Sequence, residues 1–223
     1  MANDPQHVDE LTSLLHPVPV LDFITTFGRW LQDAHETAAS LQPARRNGPR
    51  GSWANNTSFG TDRYQFLRET AGSLTGELPG LEVDAAFQAV LLKLPRVGMY
   101  HLLMPAGPYG SLGDASDLRR ELFGAGDDLG LFSRRDALLA SRPLLFLPWT
   151  GTEALGLTGL WAGQGRLLPE DNHIDWQWCV DLRELGTGLT PEIPAGRLPA
   201  DAFGLPQPML PLRPRSEAPA AAE

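Results

Sequence analysis

Hydrophobic residues recur at helical spacing early in the chain. Val20, Phe23, Ile24, Phe27, Trp30, Leu31, Ala34, Ala38 and Leu41 fall three or four apart, which gives one apolar face on an amphipathic helix. Pro43 closes that pattern. Upstream, Asp4-Pro5 pairs a capping residue with proline at the first helical position, predicting a short helix to about Leu15. Pro17 and Pro19 end it. Residues 42–60 are rich in Arg, Gly, Asn and Ser and read as a loop. Two more helices are predicted, at roughly 62–74 and roughly 83–94.

The pattern then changes period. Residues 97–104 read as a strand ended by Pro105, and 105–113 is rich in Gly and Pro. Asp114 and Ser133 sit as caps of two helices, with Asp117 and Asp136 in their first turns, where an acid complements the helix dipole. Three strand-like runs follow at 144–149, 155–162 and 173–182. Their connections, including Gly163-Gln164-Gly165, are short enough for antiparallel neighbours. The expected class is therefore α+β. A helical part over 1–95 packs on a mostly antiparallel sheet of about four strands within 96–185, helices covering one face. These parts form one domain, 1–185. The remainder, 186–223, is a Pro-rich tail with eight prolines in 38 residues, expected to be disordered beyond about residue 206.

Composition narrows the chemistry. Seventeen of the 18 basic residues are Arg, and the lone Lys is Lys93. A phosphate loop needs a Lys after a glycine run, and Lys93 sits instead in Leu91-Leu92-Lys93-Leu94-Pro95. The Arg bias, with abundant Ala, Gly, Leu and Pro, matches the codons of a GC-rich bacterial genome. A net charge of −9 argues against nucleic acid as partner. The charge is uneven. Residues 1–43 carry six acids against Arg29, and residues 44–68 carry five Arg against Asp62. The first residues show no positive, apolar leader pattern, no apolar run reaches membrane-spanning length, and Cys179 is the lone cysteine, which together predict a cytoplasmic protein without a membrane partner.

Four segments are candidate sites. In 170–181, strand alternation puts His173, Asp175, Gln177, Cys179 and Asp181 on one face and Ile174, Trp176, Trp178 and Val180 on the other. The polar face supplies acid, base and ligand types, or is the wet side of a half-buried strand. His101 shares a face with Met99 and Leu103, as a core histidine would, and joins a catalytic set only if Glu153 or Asp175 approaches it. Arg45, Arg46, Arg50 and Trp53 crowd one loop that suits an anion or an acidic partner, or is simply solvated. The glycine-rich 105–114 turn enters a helix, but Asp114 would repel a phosphate there. Zinc-protease, nucleophile-elbow, paired-cysteine and calcium-loop motifs are missing, and no metal or cofactor is expected.

Without a concentrated catalytic motif, the leading expectation is a non-enzymatic protein-interaction or accessory module, supported by six Trp and the Pro-rich tail. A second reading is a hydrolase using carboxylate and histidine acid–base chemistry, with His173 and Asp175, and then His101 and Glu153, as its residues. A third is a sensor of a small anionic molecule. Its pocket would lie between sheet and helices, lined by Trp149, Trp161 and Tyr100 with one Arg entering, the clamp being Arg45, Arg46 or Arg50.

Overall fold

Asp4 opens α1 (Pro5–Leu15) by accepting a hydrogen bond from the Gln6 amide at 2.9 Å, with Pro5 at the first helical position. The computed structural model describes residues 3–48, 53–84, 90–112, 120, 122–123, 138–168 and 172–186. The second helix, α2 (Val20–Arg46), buries the predicted stripe from Phe23 to Ala38. Pro43 does not close it. A proline in the last turn removes one backbone bond from a place where bonds are already running out, and the Asn47 amide caps the helix on the Pro43 carbonyl. Leu41 is exposed, and Gln42 is buried in its stead.

The next helix, α3 (Asn56–Thr70), begins inside the stretch read as a loop. Asn55 and Ser58 explain the early start. The Asn55 side chain accepts from the Ser58 amide at 2.7 Å, and the Ser58 hydroxyl accepts from the Asn55 amide at 3.1 Å. This reciprocal pair satisfies two amides that a helix start leaves open. A 3-10 turn (Ala71–Ser73) and the short α4 (Leu74–Glu77) complete the helical layer.

Where a helix is expected over 83–94, the described residues at both ends are strand, and 85–89 lie outside the described residues. β1 (Glu82–Asp84) and β2 (Leu91–Leu94) pair antiparallel, and a two-residue turn at Pro95-Arg96 leads into β3 (Val97–Leu103). The run Leu91-Leu92-Lys93-Leu94 is too short to display a period, so a buried strand and a helix fragment look alike there. β3 pairs in parallel with β4 (Leu144–Thr152), and β4, β5 (Gly156–Leu168) and β6 (His173–Asp181) follow as an antiparallel meander. A one-turn helix, α5 (Leu182–Leu185), follows. The α+β class holds, but the sheet has six strands in the order β1-β2-β3-β4-β5-β6, not about four, and one of its pairs is parallel.

Gly163-Gln164-Gly165 is not a connection; β5 runs straight through it. Its glycines answer to close cross-strand approach. A Cβ on Gly165 would lie 2.6 Å from the Asp175 carbonyl oxygen, and one on Gly163 would lie 2.5 Å from that of Trp178. Here the ladder shifts: Gln164 pairs with Trp178, but Gly165 pairs with Trp176. Gln177 is the extra residue of a β-bulge, and a bulge reverses sidedness. Trp178 and Val180 therefore pack with the helices, whereas Ile174 and Trp176 pack on the opposite face. The strict alternation read from the sequence is broken at this point.

Both faces of the sheet are covered, not one. The helical side holds Phe23, Phe27, Trp30, Leu31, Leu92, Met99, Leu145 and Leu147 among others. The far side holds Tyr100, Phe146, Leu167 and Ile174 beneath Leu122, Phe123 and Leu139, which belong to the β3–β4 crossover. A parallel pair needs such a long crossover, and the residues it carries seal the second face. The helices expected after Asp114 and Ser133, and the Pro-rich segment from residue 187, lie outside the described residues. Among the described residues, no helix is long and apolar enough to cross a membrane.

Candidate functional site

α2 and α3 each carry one ionisable residue within their buried stripe. On α2 it is His35, one turn after Leu31 and 1% exposed. On α3 it is Arg63, one turn after Phe59, one turn before Leu67 and 6% exposed. The two helices bring them together. Nδ1 of His35 lies 3.0 Å from the Leu31 carbonyl oxygen, and Nε2 lies 3.2 Å from Nη1 of Arg63. A carbonyl only accepts and a guanidinium only donates, so Nδ1 carries the proton and Nε2 the lone pair. The imidazole is thus neutral. Its pKa falls to about 4, chiefly because burial penalises the charged form, with Arg63 adding repulsion.

Arg63 is a buried cation. Burial lowers its pKa to about 10, which leaves it charged at neutral pH. Its guanidinium lies 4.6 Å from the Trp149 ring centre and 5.2 Å from that of Phe59, within range of cation–π attraction. The His35 ring meets Trp149 edge-on at 5.2 Å and rests on Gly151 of β4, where a Cβ would overlap the imidazole and lie 2.7 Å from the Gly156 carbonyl oxygen. Among the described residues no carboxylate pairs with Arg63. Three other helical arginines differ: Arg45 meets Asp62 at 2.6 Å, Arg29 pairs with Glu77 and Arg46 with Glu153.

Arg63 also lines a cavity of about 120 Å³. The cavity lies where β2 runs out. The β2–β3 ladder ends at Leu91 opposite Tyr100, and the next residues of β3, His101 to Leu103, form one wall. Gly60, Tyr64 and Leu67 of α3 form another, with Val90 and Trp149 completing the lining. A Cβ on Gly60 would meet nothing within 4 Å, so the helix is thinned where it borders the opening. Among the described residues no carboxylate lines this cavity.

Apart from His101, Tyr100 and Trp149, the residues singled out by sequence fall elsewhere. Glu153 lies in the β4–β5 turn, bound to Arg46. His173 lies opposite Leu168, at the other end of β5, roughly 40 Å away along a strand rising about 3.3 Å per residue. The sheet keeps them apart. The bulge also splits the β6 set, setting His173 and Asp175 on the opposite face from Cys179 and Asp181. Asp175 forms an exposed ion pair with Arg166 at 3.3 Å, and among the described residues no cluster of metal-ligating side chains occurs. Burial, and secondarily Asp181, pushes the Cys179 thiol up to about 12. His101 meets Trp30 edge-on at 5.3 Å and borders the cavity. Arg45 and Arg46 belong to the last turn of α2, not to a loop. Trp53 is 63% exposed, and Arg50 lies outside the described residues.

The cavity does contain Trp149, Tyr100 and one arginine. That arginine is Arg63, and Trp161 is not part of the lining. Arg63 is not among the arginines named as candidates from the sequence. The available signal was its place in the stripe Phe59–Arg63–Leu67, where an apolar residue is expected. Compared with known protein families, curated proteins and solved structures, the chain has no significant match.

Proposed function

We propose that this chain is a non-enzymatic binding module for a small anion, anchored by Arg63 in the cavity between α3 and β3. One observation carries the reading: a charged, buried guanidinium on a cavity wall has aromatic rings and a neutral imidazole as its neighbours, and no carboxylate among the described residues. Burying an ion without a counter-charge costs several kcal/mol. Two cation–π contacts return about 2 kcal/mol. An anion entering the cavity would offset the rest.

The protein-partner reading loses one support. Of the six tryptophans, Trp30, Trp149 and Trp178 are buried and Trp161 and Trp176 half-buried; Trp53 is the exposed one. The indoles are largely spent on packing. Of the hydrolase reading, the version in which His101, Glu153 and His173 share one site loses support, because Glu153 and His173 lie at opposite ends of β5.

A thermal-shift panel of small anions on the full chain tests the proposal. A ligand at a hundred times its Kd stabilises a fold by about 2.7 kcal/mol, which raises Tm by roughly 5–10 °C at this size. Saturable stabilisation by at least one anion, lost in Gly60→Leu, is expected. No shift with any anion, together with unchanged or higher stability in Arg63→Met, would overturn the proposal and leave Arg63 as a strut between α2, α3 and the sheet.

A further inference from the structure

Resting on the anion-binding reading, we infer that the ligand of the Arg63 cavity is a small monocarboxylate of about four to six heavy atoms, with an aliphatic body and a single negative charge. Size sets the first limit. A cavity of about 150 Å³ accommodates benzene, so 120 Å³ admits no larger a group inside it.

Charge sets the second limit. Arg63 is the one cation lining the cavity among the described residues. The imidazole on its Nη1 is committed as an acceptor and contributes no positive charge. Lys93, the lone lysine, is held by Asp84 at 2.8 Å. A phosphate dianion would bring one charge more than the site can balance, and a buried surplus charge is costly. A carboxylate matches Arg63 one to one.

Shape sets the third limit. With aromatic rings stacked on the guanidinium and Nη1 engaged by His35, the donors that remain lie in its plane. Two in-plane N–H groups match the two oxygens of a carboxylate in a bidentate pair. Beside Tyr64, Tyr100 and His101, the lining has an apolar stretch of Leu67, Val90, Leu102 and Leu103, which suits an alkyl chain.

The test is titration calorimetry on the full chain at pH 7.5 with sodium butyrate, butyramide and inorganic phosphate in turn, using wild type, Arg63→Lys and Gly60→Leu. Saturable butyrate binding is expected, at least tenfold weaker for butyramide, and undetectable for phosphate. Arg63→Lys, which keeps the charge but loses the planar fork, should weaken butyrate at least tenfold. Gly60→Leu fills open space at a glycine and should abolish binding while its circular dichroism and Tm match or exceed wild type. Phosphate binding at Arg63 without butyrate binding overturns the monocarboxylate assignment and leaves the anion site standing. Equal binding of butyrate and butyramide overturns the charge argument. Failure of both anions overturns this inference, and the thermal-shift panel of other small anions then decides the proposed function.

Discussion

His35 and Arg63 form a pair in which a neutral base props a buried cation, so acid should break it. The folded chain holds the imidazole at a pKa of about 4, against 6.5 when exposed. Between those values the unfolded chain binds a proton that the folded chain refuses. The contribution to stability is therefore complete above pH 6.5 and is lost as the pH falls towards 4, by up to about 1.4 kcal/mol per pH unit. Urea unfolding of wild type and His35→Gln across that range measures it. The difference between the two slopes isolates the imidazole from the carboxylates, and identical slopes would mean that His35 keeps its proton in the fold. Neither residue was legible as a functional candidate, because a single His or Arg within a helical stripe has no motif around it. Only the positions, one turn from Leu31 and one turn from Phe59, mark them as inward-facing.

Elements were legible where they carried their own punctuation. Asp4-Pro5 fixed the start of α1, and the α2 stripe from Phe23 to Ala38 is buried as its spacing requires. Elements set by neighbours were not legible. β2 is a strand because β1 and β3 flank it, and β5 passes through two glycines because β6 crosses them closely. The bulge at Gln177 is the sharpest case, since one extra residue moves Ile174 and Trp176 to the other face of the sheet. Deleting Gln177 should close the ladder with Trp178 still opposite Gln164 and Trp176 still opposite Gly165, so both Ile174 and Trp176 keep their present face. Neither core loses a side chain, so the cost is that of straightening the strand, about 1–3 kcal/mol. Chemical denaturation with far-UV circular dichroism reads the loss; wild-type stability in the deletion variant would show that the bulge is dispensable.

At the scale of the whole molecule, one sheet supplies both cores. Each strand from β3 to β6 gives side chains to the helical side and to the crossover side, so neither core can melt without stripping the other's backing. Unfolding of residues 3–186 should be a single cooperative transition. The sequence implied a sheet with one covered face. The second core depends on Leu122, Phe123 and Leu139, which lie far along the chain from most of the strands they cover, and no local pattern announces such a contact. The bulge also places two nearby indoles on opposite sides of the sheet. Trp178 donates its N–H to Gln164, and Trp176 donates to the Pro108 carbonyl. With fluorinated tryptophan, each indole gives a separate ¹⁹F resonance, assignable by a Trp→Phe substitution. Coincident loss of both signals in urea would confirm one transition, and separated midpoints would refute it. The bulge in β6 leaves the protein with a pair of neighbouring reporters, one listening to each half of its interior.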